Sequence, residues 1–253
     1  MKVFVVSIEE DNSFRLNNLL NQPFFKKNNI NYTRIGINGG QFSAKEYFEL
    51  AVKGRSRPLT PAELGCSLSH LKILNEFLNT EDEYALIFED DAIIPSNLRL
   101  NLLEEAIKQL NLPLNSLLSL GGIQMKICHK VRGKIKKQKF LNKTILEVNP
   151  NFYNRVNYAF AYIVDRVMAK NLVDYHERIR KADDWSYLFD FNDQSHIFMT
   201  YLVDHPVISK GETDVQLSRI EAERAKSVDL PISRYGKSIK KFLAKIQLET
   251  YPL

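Results

Sequence analysis

Glu89, Asp90 and Asp91 stand side by side, directly after the compact apolar run Tyr84-Ala85-Leu86-Ile87-Phe88. Three adjacent carboxylates repel one another and resist burial unless something positive sits among them. A hard divalent cation, Mg²⁺ or Mn²⁺, meets that need because both ions favour carboxylate oxygens. Such an ion can bridge a diphosphate and take up charge as a phosphate leaving group departs. Alternate residues of an extended segment point the same way, so Glu89 and Asp91 are expected to face one site and Asp90 the other. The competing reading is a solvated acidic turn. The apolar run in front of the acids favours chemistry, since ligands of open α/β sheets bind at the carboxyl ends of strands.

The elements that must position these acids are legible from pattern. Val3 to Ile8 reads as a buried strand, Phe14 to Phe25 as a helix, and Tyr32 to Ile37 as a second strand closed by the turn Asn38-Gly39-Gly40. Thr60-Pro61-Ala62-Glu63 carries the signature of a capping box with proline at the first helical position. Leu64, Leu68, Leu71, Leu74 and Leu78 then recur at helical spacing, so the helix should run to about Leu78. A helix through Leu98 to Leu110 and a strand over Ser116 to Leu120 follow. The basic stretch Lys126 to Lys143 is expected to form a hairpin or loop, Asn157 to Val164 a strand, and Asp165 to Ile179 a helix. Strands alternating with helices predict an α/β domain with a mainly parallel central sheet.

The 253 residues suit one sizeable domain with an appendage, and 44% hydrophobic residues can build its core without disulfides. Cys66 and Cys128 are too few and too far apart for a disulfide scaffold or a zinc site, and read as thiols of a reducing compartment. Met1 to Ile8 is too short and too quickly followed by acids to be a signal peptide, so a cytoplasmic location is expected. The net charge of +5 gathers in Lys126 to Lys143 and in Arg224 to Lys245. Both clusters suit anionic partners. Ile232 to Leu253 reads as a basic amphipathic tail, either lying on the inner leaflet of a membrane or docked on the domain.

Arg57-Pro58-Leu59-Thr60-Pro61-Ala62-Glu63-Leu64-Gly65-Cys66-Ser67-Leu68-Ser69-His70, followed by Ala85-Leu86-Ile87-Phe88-Glu89-Asp90-Asp91, resembles glycosyltransferase family 25. The resemblance implies a GT-A type fold, with a nucleotide-binding part over about 1–122 and an acceptor part over about 123–222; residues 223–253 beyond it read as the basic amphipathic tail. It implies an inverting hexosyltransferase that uses a divalent metal and a UDP-sugar, UDP-galactose first, and builds lipooligosaccharide. Val6-Ser7-Ile8 with Arg15, and Ile37-Asn38-Gly39, resemble the family's nucleotide-binding segments, although Ser7-Ile8-Glu9 replaces the usual Asn-Leu-Asp. Asp184-Trp185 resembles its aspartate followed by a bulky residue, and Pro206 with Gln216-Leu217-Ser218 its closing motif.

Roles follow from that resemblance. Glu89 and Asp91 would hold the metal, with His205 as a further ligand or, alternatively, a plain strand-end histidine. Ser7, Ile8, Arg15, Asn38, Gly39, Arg57, Glu63 and Asp90 would bind the nucleotide, although Glu63 already has a capping explanation. Asp184, with Asp183 second, would be the base that activates the acceptor hydroxyl, and Trp185 would stack on a sugar; the alternative is that the two acids cap a following helix. Ser69-His70 is unsuited to a nucleophile pair, and His70 is expected to partner a nearby backbone group or acid. Rival classes are a metal-dependent phosphohydrolase, which lacks a second acidic cluster here, and a nucleic-acid-binding module, whose interleaved aromatics are missing. No nucleic acid partner is expected.

Overall fold

A computed structural model describes residues 1–206 and 244–253. In chain order the strands are β1 (Lys2–Val6), β2 (Tyr32–Ile35), β3 (Tyr84–Glu89), β4 (Ser116–Ser119), β5 (Gly133–Ile135), β6 (Leu146–Val148), β7 (Ala161–Asp165) and β8 (His196–Met199). The helices are α1 (Phe14–Leu20), α2 (Pro23–Asn28), α3 (Ala44–Tyr47), α4 (Pro61–Leu78), α5 (Leu100–Leu110), α6 (Arg166–Tyr175) and α7 (Leu188–Phe191). The strands form one eight-stranded sheet in the order β2-β1-β3-β7-β4-β8-β6-β5.

The alternation of side chains along the central strands builds two cores, one on each sheet face. Phe4 and Val6 of β1 and Ala85 and Ile87 of β3 join α4 and α6 through Ile73, Phe77, Met168 and Leu172. Val3, Val5, Leu86 and Phe88 instead join α1, α2 and α5 through Leu16, Leu19, Phe24, Leu103 and Ile107. β3 is therefore apolar at every position before its terminal acid, as a strand covered on both faces must be.

The expected mainly parallel sheet is corrected to a mixed one. β1 pairs parallel with β2 and β3, and β4 with β8. β7 enters antiparallel between β3 and β4, and the β5–β6 pair and the β6–β8 pair are antiparallel as well. The strand–helix alternation that predicts parallel pairing holds only through the first half of the chain. The expected helix over Phe14 to Phe25 is two helices. Gln22 takes an extended conformation ahead of Pro23, as the residue before a proline prefers, and Pro23 opens the second helix.

α4 agrees with expectation at both ends. Thr60 Oγ1 accepts from Glu63 N–H at 3.2 Å while the Glu63 carboxylate accepts from Thr60 N–H at 3.1 Å. Gly39 and Gly65 let the turn after β2 lie directly on this helix. A Cβ on Gly39 would stand 1.8 Å from the Pro61 carbonyl oxygen, and one on Gly65 2.4 Å from that of Ile37. Only glycine permits such backbone contact.

Lys126 to Lys143 spans a short helical turn, β5 and the start of the hairpin to β6, in keeping with the expected hairpin. Of the basic tail, Arg234, Lys237, Lys240 and Lys241 lie outside the described residues, as does the 222/223 boundary. The final segment docks on the domain. Ala244 is buried, Gly133 and Glu249 form an antiparallel bridge, and Tyr251 donates its hydroxyl to Thr144 O. No helix among the described residues is long and apolar enough to cross a membrane.

Candidate functional site

Three parallel strands, β2, β1 and β3, end at one side of the sheet, and the chain segments leaving them wall a cleft. Val6 ends β1 and Ser7, Ile8 and Glu9 follow it; Ile37, Asn38, Gly39 and Gly40 follow β2; Glu89 ends β3 and Asp90 follows it. Arg15 of α1 and Ala62, Gly65, Cys66 and Ser69 of α4 complete the lining. The cleft holds about 770 Å³ of space, part of it open to solvent. Its floor is held by local bonds: Asn38 Oδ1 accepts from Gly40 N–H at 3.0 Å, Ser69 Oγ accepts from Ile37 N–H at 2.8 Å, and Ser7 Oγ accepts from Glu9 N–H at 3.1 Å.

The carboxylates are arranged differently from the expected alternation. β3 ends at Glu89, and the chain turns there, with Ala92 N–H donating to Glu89 O at 3.1 Å. Asp90 and Asp91 therefore converge on one cation, Arg15, rather than pointing apart. Arg15 Nε donates to Asp90 Oδ1, and Arg15 Nη2 donates to Asp91 Oδ2 at 2.7 Å. Glu89 turns the other way, into α4, where its Oε1 lies 3.1 Å from His70 Nε2 and 3.9 Å from Cys66 Sγ. His70 Nδ1 lies 2.9 Å from the Tyr162 hydroxyl. The expected partnership of His70 with an acid is what the structure shows.

His205 reaches the triplet through a backbone bridge. Ile93 N–H donates to Asp204 O and Asp204 N–H to Ile93 O, both at 2.9 Å. That bridge sets His205 Nε2 3.3 Å from Asp91 Oδ2. Burial opposes the charge on His205, but the hydrogen bond and charge of Asp91 outweigh it and raise its pKa. Asp91 is held below the usual carboxylate range: burial alone would raise it, and His205 and Arg15 overcome that. Burial pushes Asp90 up to about 6, against the pull of Arg15 and the Ser7 hydroxyl. Asp91 Oδ1 is buried with no hydrogen-bond partner. An orphaned carboxylate oxygen in such a place fits a ligand to a cation.

Other expected site residues lie elsewhere. Glu63 is buried in the capping box and its Oε1 pairs with Lys181 Nζ at 2.7 Å, so both its oxygens are taken by the protein itself. Arg57 is half-buried before α4 and does not line the cleft. Trp185 is only 4% exposed and packs in the core with Leu172 and Leu188, so it cannot stack on a sugar. Asp183 and Asp184 do not cap α7, whose N-cap is Tyr187. Asp183 Oδ2 accepts from Tyr158 N–H at 3.1 Å, and the Tyr158 ring packs against His205, with ring centroids 5.7 Å apart. Asp184 Oδ1 accepts from Ser186 N–H at 3.2 Å, and its Oδ2 lies 3.9 Å from Arg180 Nη1. Ala62, Gly65, Cys66 and Ser69 of α4 are among the lining residues that sequence reasoning missed. Their i, i+4 spacing on α4 with the predicted turn at Asn38 was the available signal.

His176 sits beneath the site with Nδ1 buried and unpartnered. Burial, the largest cause, lowers its pKa from 6.5 to about 4. A histidine that is neutral when folded and charged when unfolded stabilises the fold above pH 6.5 and loses that contribution as pH falls towards 4. Over that window the wild type is expected to lose about 3 kcal/mol more stability than His176→Gln. Urea denaturation of both proteins at each pH checks this; equal pH slopes would contradict it.

A sheet with helices on both faces, and a cleft where its parallel strands end, defines an α/β protein with a place for a ligand at those strand ends. The chain belongs to glycosyltransferase family 25 (LPS biosynthesis protein), whose family model matches residues 1–187, and it is accordingly a glycosyltransferase of lipopolysaccharide biosynthesis. No curated protein matches the chain. Among solved structures it is similar to the crystal structure of A197 from STIV, at 15% identity over 82% of this chain and 87% of that one. The TM-score of 0.40 is too low for that likeness to bear on mechanism.

Proposed function

We propose that the chain is an inverting, GT-A type hexosyltransferase that takes a UDP-sugar, UDP-galactose first, and transfers the hexose to a lipooligosaccharide acceptor. The observation that carries the reading is the convergence of Ser7, Arg15, Asn38, Gly39 and Asp90 on one cleft at the ends of β1, β2 and β3. The Arg15 guanidinium on the wall of that cleft suits a nucleoside diphosphate.

Asp91 Oδ1 has no partner and His205 stands beside it, so these two residues would hold a Mn²⁺ or Mg²⁺ ion. The ion, when bound, neutralises charge on the leaving diphosphate. Arg15 orients the donor by fixing Asp90 and Asp91. In the transfer, an acceptor oxygen bonds to the anomeric carbon from the face opposite the diphosphate, the bond from that carbon to the phosphate oxygen breaks, and the hydroxyl proton passes to a carboxylate. Asp183 takes that role in this reading, because Tyr158 links it to His205 and the acidic corner, whereas Asp184 faces Arg180.

One observation favours a second reading without metal. Arg15 already lies between Asp90 and Asp91, so a fixed guanidinium there would serve in place of an ion. The acceptor's phosphates would meet the β5–β6 face: no acid stands from Lys126 to Lys143, whereas seven lysines and one arginine do. That face and the basic tail would hold the enzyme on the cytoplasmic surface of an anionic membrane.

A donor screen that follows nucleoside diphosphate release, with Mn²⁺ and with EDTA, tests both readings. Turnover of a UDP-hexose that needs Mn²⁺ supports the first. Turnover indifferent to EDTA supports the second, and no turnover of any nucleotide sugar rejects both.

A further inference from the structure

We propose that Cys66, His70 and Glu89 form a three-ligand site for a thiophilic divalent cation of the zinc class, with its fourth position open to the cleft. Among the described residues their donor atoms lie within 4.8 Å of one another. Cys66 and His70 are i, i+4 on α4 and so share one helix face. Glu89 is fixed opposite them at the end of β3, its N–H donating to Phe160 O at 2.7 Å. Both platforms are regular elements packed on the same core, which is what a preorganised site requires.

The spacing suits coordination. Ligand atoms of a tetrahedral zinc, at about 2.0 Å for nitrogen and oxygen and about 2.3 Å for sulfur, stand about 3.3 to 3.5 Å apart. The pairs here are 3.1 Å for His70 Nε2 and Glu89 Oε1, and 3.9 Å for Cys66 Sγ and the same oxygen. One nitrogen, one sulfur and one oxygen select zinc over Mg²⁺ or Mn²⁺, because thiolate is a soft ligand. Three protein ligands with a fourth position left open is also the pattern of zinc sites that act on ligands rather than merely brace a fold. Cys66 and Glu89 both line the cleft, so water or a phosphate oxygen would complete the tetrahedron there.

A further partner is already in place. His70 Nδ1 lies 2.9 Å from the buried Tyr162 hydroxyl, the kind of outer bond that orients a ligating histidine. Without a cation, His70 donates its Nε2 proton to Glu89 and accepts the Tyr162 O–H at Nδ1. With one bound, the imidazole proton stands on Nδ1 and donates to the Tyr162 oxygen, Nε2 faces the ion, and the Cys66 thiol releases one proton to solvent. The site is separate from the Asp91–His205 corner, and the proposal stands whether or not the donor reading does.

The test uses the full chain, stripped with EDTA and titrated with Co²⁺. The expected result is a near-ultraviolet thiolate-to-cobalt charge-transfer band that saturates at one equivalent and is bleached by Zn²⁺. Cys66→Ser should lose the band and Cys128→Ser should keep it. Tyr162→Phe should keep it with roughly tenfold or greater loss of affinity. No band in the folded wild type, or a band that survives Cys66→Ser, would overturn the proposal. Donor turnover is measured in parallel and reads only the transferase assignment.

Discussion

Asp91→Asn should lower kcat for sugar transfer by roughly 10²- to 10³-fold, the usual effect of removing a fixed electrostatic group from a transition state. Asparagine keeps the shape and can still accept from His205, but it removes the charge that Arg15 and His205 share. With the amide oxygen held by Arg15 and His205, the amide N–H₂ stands where the orphaned Oδ1 was, and a nitrogen donor there cannot bind a cation. From sequence alone a strand-end acid should add little to stability. The structure revises that expectation, since Asp91 is buried against two cationic partners, and a cost of about 1–3 kcal/mol is expected. Arg15 keeps Asp90 as a partner, which limits the cost. Rates measured on variant protein shown to be folded by urea denaturation separate the two effects. Turnover within a few-fold of wild type would remove Asp91 from the mechanism.

The second large effect concerns the base. Asp183→Asn should lower kcat by roughly 10²- to 10⁴-fold, the range a positioned general base supplies, and leave UDP affinity unchanged. Asp184→Asn should retain transfer to within about tenfold, because its carboxylate serves a local turn and Arg180. The opposite ranking would return the role to Asp184, where the family resemblance first placed it. Lost UDP binding in Asp183→Asn would assign that residue to the donor instead.

The parts of this site set by local rules were legible in the sequence. The Thr60–Glu63 box fixed the start of α4 and the leucine spacing its approximate end, and the apolar run before Glu89 located β3. Ser7, Ile8, Arg15, Asn38, Gly39 and Asp90, far apart in the chain, line one cleft. What failed depends on contacts between distant segments. The alternation rule assumes an extended chain, and β3 stops at Glu89, so Asp90 and Asp91 turn together onto Arg15 while Glu89 turns to α4. A strand inserted antiparallel, such as β7, leaves the same apolar pattern as a parallel one. Trp185 read as a stacking platform, but its burial depends on α6 and α7, which no local window reveals. Nor does a spacing of nineteen residues between His70 and Glu89 announce contact.

Beneath all of this lies one claim: that the space between the ends of β1, β2 and β3 is where a nucleoside diphosphate sits. Calorimetric titration of the intact protein with UDP, with and without Mn²⁺, measures it directly, with Arg15→Met as the control. Saturable binding at one site, weakened at least about tenfold in Arg15→Met, is the result this account requires. Full-affinity binding in Arg15→Met, or no UDP binding under either condition, would contradict it.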